Sequence, residues 1–357
     1  MKDWTRREFG QGALAAGAAL TGLPMAAATR AQQMAAAFKG PHAGADPYRL
    51  VDPELVPVLK SLPPLVITPE LLAQIRKLPL LPALPAPFPQ PVSRMIPGAA
   101  NSPDVHVVIV DPSPGEKNRP VIVHTHGGGY VAANTSLYPF IQTMAQACGC
   151  VVVSVDYRMA PETRYPGSLD DNYAALRWVY AQAAALGVDR ARIAVGGESA
   201  GGGQAAALAL RARDRAEIPV LFQLLLYPML DDRTGSSQPA PPAMGQFIWN
   251  AACNRFGWTA LLGVPAGSAH IPPGSVPARL EDLSGLPPAW IGVGSIDLFA
   301  DEDVHYAQRL MDEGIATELN VFPGAYHAFD LLVPRAAVSK RFTNSWTSSL
   351  RTAFATA

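Results

Sequence analysis

Seven short apolar runs rich in Val, Ile and Leu recur along the chain, most of them separated by stretches with the composition of amphipathic helices. They read DVHVVIVDP (104–112), RPVIVHTH (119–126), CGCVVVSVDYR (148–158), RIAVGG (192–197), PVLFQLLLYP (219–228), PAWIGVGSID (288–297) and TELNVFPGAYH (317–327). A strand that is apolar on nearly every residue is buried on both faces, so it cannot belong to a sheet with one face in water. Helices fill the gaps: SLDDNYAALRWVYAQAAAL (168–186), the Ala-rich run from Ala200 to Arg213, and DEDVHYAQRLMDEG (301–314) with Gly314 as its stop. The pattern predicts an α/β fold with a mostly parallel central sheet covered by helices on both sides. With 357 residues, 49% of them hydrophobic, the chain can fill one large core, or a core plus a cap.

Bulk properties narrow the partners. A formal net charge of −1 without long basic runs argues against nucleic acid, and 16% charged residues in so apolar a chain argue against disorder. Cys148, Cys150 and Cys253 make neither a disulfide framework nor a zinc pair and read as packing residues. No G-x-G-x-x-G fingerprint or P-loop lysine is present, so no cofactor is expected.

The first residues are of another kind. Thr5-Arg6-Arg7-Glu8-Phe9 precedes a mild Ala/Gly/Leu stretch from Gly10 to Ala28, then small residues suited to cleavage after Ala28 or Ala31. Residues 1–31 therefore look like a twin-arginine export signal, in which Arg6 and Arg7 would engage the export machinery and send the protein to the periplasm or outside. The apolar part is too short and Gly/Ala-rich for a stable membrane span. Residues 32–95 read as N-terminal cap helices followed by a stiff Pro-rich connector, LPLLPALPAPFPQP (78–91), lying against the body. In the helical pattern TPELLAQIRKL, Thr68 is the expected N-cap and Pro69 the first helical residue. Residues 96–357 form the expected catalytic domain, interrupted at about 235–280 by a second cap piece containing QFIWNAACNRFGWTALLG.

Parallel α/β sheets bind ligands beyond the carboxyl ends of their strands, and there the chemistry collects. Gly197-Glu198-Ser199-Ala200-Gly201 fits G-x-S-x-G between a strand and a helix, the setting of a nucleophile elbow. His126-Gly127-Gly128-Gly129-Tyr130 follows another strand and exposes backbone N–H groups of the kind a tetrahedral oxyanion requires. Asp297 and His327 end two further strands, giving the chain order Ser, Asp, His. Asp301 and Asp303 rival Asp297 but sit where the first turn of a helix favours acids. His124 and His126 could share a strand face as a metal pair, but no third ligand stands near them in sequence. Glu198, turned away from the serine by the elbow, is expected to make structural hydrogen bonds.

The motifs HGGGY (126–130), DYRMAPETRYPGSLDD (156–171), GESAGG (197–202), DLFADE (297–302) and YHAF (326–329) together resemble the bacterial hormone-sensitive-lipase-like (family IV) carboxylesterases of the α/β-hydrolase superfamily. The resemblance covers about residues 100–335. It implies a triad of Ser199, Asp297 and His327, and an oxyanion hole made by Gly127, Gly128 and Ala200. The implied reaction is hydrolysis of short- to medium-chain esters through an acyl-enzyme on Ser199, without metal or cofactor. His126 would shape the glycine loop, and Arg158 and Glu162 would be structural. Tyr130, Trp249, Phe256 and Trp258 would wall an apolar substrate pocket. The chain departs from the family pattern with Glu198 for Asp, Ala328 for Gly and Leu298 for Pro, which bears on substrate range. The same triad could act on lactones, amides or carbamates or as an acyltransferase, and a non-catalytic ligand-binding protein could use the same fold. The protein is expected to be a monomer or a homodimer.

Overall fold

A computed structural model describes residues 46–62, 64–133 and 137–356. The export-signal reading, with Arg6 and Arg7, lies outside the described residues. Eight strands form one sheet in the order β1-β2-β4-β3-β5-β6-β7-β8. They are β1 (Pro91–Ile96), β2 (Val105–Val110), β3 (Arg119–Thr125), β4 (Val151–Asp156), β5 (Val188–Glu198), β6 (Phe222–Leu226), β7 (Ala289–Gly294) and β8 (Thr317–Phe322). From β4 to β8 every neighbouring pair is parallel, while β1 with β2 and β2 with β4 are antiparallel. The expected mostly parallel sheet is thus observed, with one edge strand that the apolar pattern did not mark. The sheet begins at Pro91, inside the stretch read as connector.

The main helices are α1 (Val56–Ser61), α2 (Pro69–Ile75), α3 (Leu137–Cys148), α4 (Gly167–Ala181), α5 (Ala200–Arg215), α6 (Ala251–Leu262), α7 (Ala300–Asp312) and α8 (Ala337–Ala355). Alternate strand residues enter different cores. Val121 and Val123 of β3 join Leu176 of α4, Ala209 of α5 and Leu310 of α7, whereas Ile122 joins Ile141 of α3 and Trp346 of α8. This period of two, with apolar residues on both faces, is why the strands read as continuous hydrophobic runs. Each fully buried Leu, Ile or Val side chain contributes about 1.5–3 kcal/mol of transfer free energy.

A third cluster lies over the carboxyl ends of the strands, where Leu72 of α2 and Cys253, Trp258 and Leu261 of α6 meet Val131, Met229 and Phe299. Leu65, Ile67, Leu72 and Ile75, from the first stretch expected as cap, meet residues of the second there. The α2 N-terminus forms as its sequence predicts, with Thr68 Oγ1 accepting the Leu71 N–H. Arg76, just past α2, ties this cap to the body by donating to the carbonyls of Val131 and Ala160 at 2.7 and 2.6 Å and to Glu162 at 2.7 Å. The Pro-rich connector does lie against the body, held by Gln142 of α3, whose amide exchanges hydrogen bonds with Leu84 and donates to the Pro89 carbonyl. Among the described residues no helix is long and apolar enough to cross a membrane.

Candidate active site

Ser199 stands between the last residue of β5 and the first of α5 with φ 58° and ψ −125°, a conformation costly for any residue but glycine. Its neighbours hold it there. The Ser199 N–H donates to the Leu226 carbonyl at 2.9 Å, and its own carbonyl accepts from Gly203 and Met229 at 3.1 and 2.9 Å. Gly197 and Gly201 are required by close approach: a Cβ at either would stand 2.1 or 2.0 Å from the Thr125 carbonyl oxygen.

The structure brings Ser199, His327 and Asp297 into one hydrogen-bonded row. His327 Nε2 lies 2.9 Å from Ser199 Oγ, and His327 Nδ1 lies 2.9 Å from Asp297 Oδ2. The remaining Asp297 oxygen accepts the Phe299 N–H at 3.0 Å, so the carboxylate cannot rotate away. Edge contacts from Tyr227 and Phe299, at 5.0 and 5.1 Å between ring centroids, fix the imidazole plane. Asp297 is buried, which excludes water from its bond to the ring. Asp301 and Asp303 fall on the first turn of α7, as expected. Asp303 is fully buried, and neither carboxylate oxygen has a hydrogen-bond partner among the described residues. Burial, reinforced by the charges of Glu302 and Asp297, raises its pKa well above the usual carboxylate range.

The glycine loop differs from expectation at one residue. The Gly127 N–H donates at 2.9 Å to Glu198 Oε1 and so is not available to an oxyanion. The other Glu198 oxygen lies 2.9 Å from His124 Nε2, and His124 Nδ1 lies 2.9 Å from Ser154 Oγ. Both nitrogens of His124 are therefore occupied by protein, so it is no metal ligand, and Glu198 does have a structural hydrogen-bonding place. Gly128, with φ 117°, and Gly129, with φ 62°, then turn the loop. The N–H groups of Gly128, Gly129 and Ala200 donate to no acceptor among the described residues. His126 stacks on Tyr157 at 4.3 Å with Nδ1 2.8 Å from the Gly127 carbonyl, and burial lowers its pKa, so it props the loop as a neutral ring. Arg158 chelates Asp171 through its backbone N–H and guanidinium at 2.7 to 3.1 Å, away from the serine.

The four aromatic wall candidates separate. Tyr130 commits its hydroxyl to the Met229 carbonyl at 2.7 Å and its ring to Trp258 at 4.9 Å. Trp258 has no exposed surface and Tyr130 only 2%, and both pack into the cap core. The reason is helical period: Trp258 points from α6 into the cap core beside Leu261 and Leu262. Phe256 is half-buried on the edge of that cluster. Trp249 alone reaches the row, its indole centroid 6.2 Å from that of His327. Gly129 and Arg76 were not singled out from the sequence; a third consecutive glycine was the signal available for the first, and none marked the second.

A family model described as the alpha/beta hydrolase fold matches residues 122–331. Carboxylesterase NlhH of Mycobacterium tuberculosis is 37% identical over 238 residues, 66% of this chain and 75% of that protein. Esterase LipI of the same organism is 35% identical over 294 residues, covering 80% of this chain and 89% of its own. Among solved structures, a bacterial heroin esterase superposes with a TM-score of 0.78 at 33% identity, over 87% of this chain and 99% of the other. Sequence, sheet topology and site agree: the chain belongs to the α/β-hydrolase family, in its hormone-sensitive-lipase-like branch.

Proposed function

We propose that the protein is a serine carboxylesterase that cleaves short- to medium-chain esters through an acyl-enzyme on Ser199. The observation that carries this reading is the Ser199–His327–Asp297 row, with two 2.9 Å contacts on opposite nitrogens of one buried imidazole. With Asp297 accepting the Nδ1–H, Nε2 carries a lone pair toward Ser199 and can take its proton as Oγ attacks the ester carbonyl. The carbonyl oxygen becomes an oxyanion, met by the N–H groups of Gly128, Gly129 and Ala200, the last at the start of α5 where free backbone donors concentrate. The imidazolium, stabilised by Asp297, returns the proton to the leaving alkoxide, and a water repeats the sequence to release the acid. Every step uses side chains and backbone groups of this chain.

The test is labelling with a fluorophosphonate and location of the adduct by peptide mass spectrometry, with His327→Ala alongside. An adduct on Ser199 that is lost in the variant, with hydrolysis of butanoate esters, supports the reading. A folded protein that forms no adduct overturns it. We also propose that the chain is exported through Arg6 and Arg7. Arg6→Lys/Arg7→Lys should leave the esterase in the cytoplasmic fraction, and unchanged export would refute this.

A further inference from the structure

Arg76 of the N-terminal cap reaches the far end of the glycine loop. Its guanidinium donates through Nε to the Val131 carbonyl at 2.7 Å and through Nη2 to the Ala160 carbonyl at 2.6 Å, leaving Nη1 for Glu162 at the surface. Hydrogen bonds from a charged donor are stronger than neutral ones, and arginine keeps its charge at any working pH. With 24% of the side chain exposed, that charge is only partly screened by water.

The peptide units that Arg76 touches make further bonds within the loop. The unit joining Val131 to Ala132 offers its carbonyl to Arg76 and its N–H to the Gly128 carbonyl, at 3.0 Å. The preceding unit is held likewise: the Tyr130 carbonyl accepts the Ala160 N–H at 2.9 Å, and the Val131 N–H donates to the same Gly128 carbonyl at 3.1 Å. Two donors thus grip the Gly128 carbonyl. A Cβ at Gly128 would stand 1.8 Å from the Ala132 carbonyl oxygen, so the turn closes this tightly only on glycine. That carbonyl belongs in turn to the peptide unit that carries the Gly129 N–H. The unit is trans and planar, with its C=O and N–H pointing opposite ways, so fixing the carbonyl fixes the direction of the N–H.

We infer that Arg76 is a positioning residue for the reaction, one that aims the Gly129 N–H at the oxyanion and adds to its positive character through two peptide units. The inference rests on the ester-cleaving reading of the site, in which Gly129 is an oxyanion donor. The chain runs from the guanidinium to the Val131 C=O, the Ala132 N–H, the Gly128 C=O, the Gly129 N–H and the oxyanion. Each unit turns its negative end toward Arg76 and its positive end toward the oxyanion, so a cation at one end and an anion at the other favour the same alignment. Each bond in such a chain polarises the next, by roughly 10–30%. The cation therefore helps most when the carbonyl oxygen carries negative charge, in the transition state and not in the bound ester. The residue that pins the cap to the body is also the one that sets a catalytic donor, which makes the docked cap part of the reaction machinery.

The experiment compares Arg76→Met, Arg76→Lys and Glu162→Gln with wild type as full-length enzymes. The readouts are kcat and KM for a short-chain aryl ester, Tm, and inhibition by an alkyl trifluoromethyl ketone. Ser199 Oγ adds to the carbonyl carbon of that ketone, its proton passes to His327 Nε2, and the ketone oxygen becomes an oxyanion. Arg76→Met removes the charge at similar length. It should lower kcat about tenfold, less than the 10²–10³-fold for losing a donor outright, with KM within about twofold and ketone affinity weakened by the same factor as kcat/KM. Arg76→Lys keeps a cation able to reach one carbonyl and should recover part of both losses. Glu162→Gln leaves both carbonyl bonds in place and should keep kcat within about twofold, because an exposed ion pair contributes little. Should Arg76→Met not fold, Arg76→Gln, neutral but able to donate to one carbonyl, is read against the same limits. A neutral variant that loses Tm yet keeps kcat and ketone affinity within about twofold would reduce Arg76 to a clamp and overturn the inference, as would a rise in KM with kcat unchanged. Absence of hydrolysis and of Ser199 labelling in wild type would instead refute the parent reading.

Discussion

Truncating Glu198 to alanine tests how the glycine loop is held. In the folded protein one carboxylate oxygen accepts the Gly127 N–H and the other meets His124 Nε2, each at 2.9 Å, with Glu198 1% and His124 0% exposed. Glu198→Ala leaves a buried backbone donor and a buried imidazole nitrogen without partners. Each orphan costs about 1–3 kcal/mol, and breaking a buried pair of this kind costs about 3–5 kcal/mol in all. The catalytic effect follows by another route. Gly127 is the first residue of the loop whose next two N–H groups would meet the oxyanion in the proposed reaction, and once released it no longer sets their direction. Loss of one such donor lowers kcat by about 10²–10³-fold. The oxyanion exists only once Ser199 has attacked, so the loss should fall on kcat and KM should move little.

Glu198→Gln separates charge from geometry. Its amide oxygen can still accept from Gly127, and its NH2 can donate to His124 if the proton of that ring moves to Nδ1 and donates to Ser154. The expected cost is one rearranged hydrogen bond, about 1 kcal/mol, with kcat within about tenfold of wild type. Urea unfolding gives the stability and steady-state hydrolysis of a short-chain aryl ester gives kcat and KM. A Glu198→Ala protein within about 1 kcal/mol of wild type and within about threefold in kcat would refute the reasoning. A Gln variant as impaired as Ala would show that the charge matters and not the reach.

Three other changes have defined outcomes. Asp297→Asn should keep the fold but put the proton of His327 on Nε2, facing Ser199, and lower kcat by about 10⁴-fold; a loss under about tenfold would point to another acid. Ser199→Gly should be inactive yet more stable than Ser199→Ala by about 1 kcal/mol, because only glycine adopts φ 58° and ψ −125° without strain; the reverse order in thermal unfolding would argue against a strained elbow. Asp330 accepts the Tyr227 hydroxyl at 2.9 Å, and burial pushes its pKa up to about 6. Between its unfolded pKa near 4 and about 6 the folded state holds the extra proton, so this residue's contribution is full at low pH and is lost as pH rises through 6, by about 3 kcal/mol. Asp330→Asn should therefore gain on wild type by about that amount between pH 4 and 7.5 in urea unfolding, and a pH-independent difference would refute the assignment.

The parts of the fold that the sequence declares are those buried on both sides. Val121, Ile122 and Val123 are all inside, so their strand needs no context to be read. Strand β1 is different: its Val92 and Met95 are exposed, it opens with proline, and it exists because β2 offers an unpaired edge. Helix α8 is rich in Ser and Thr, poor helix formers, and is helical because Phe342, Trp346, Leu350 and Phe354 recur every fourth residue against the sheet. The same limit applies inside the site. Ser199, Asp297 and His327 stand at strand ends and could be named, because position along the sheet fixes where each side chain arrives. Which of three adjacent glycines donates to an oxyanion depends on the direction of single peptide planes, and Glu198 decides that from 71 residues away.

Backbone strain shows why the site is less legible than the scaffold around it. Among the described residues, eight positions other than glycine have positive φ, and five of them, Tyr130, Ser199, Tyr227, Ile248 and Ala328, lie in or beside the site. None is a residue type that announces such a conformation, as glycine or asparagine would. Each is imposed by its surroundings. The Tyr130 hydroxyl is tied to Met229, the Ser199 N–H to Leu226 and the Tyr227 N–H to Gly292. Trp249 closes the turn on Ile248, and Ala328 follows the histidine whose ring Tyr227 and Phe299 fix. Strain of about 1–3 kcal/mol per residue survives only where neighbouring contacts outweigh it, and here those contacts also aim Ser199, His327 and Trp249 at one point. Local propensity and catalytic geometry disagree at these five positions, and the rigid parallel sheet beneath them settles the disagreement in favour of geometry.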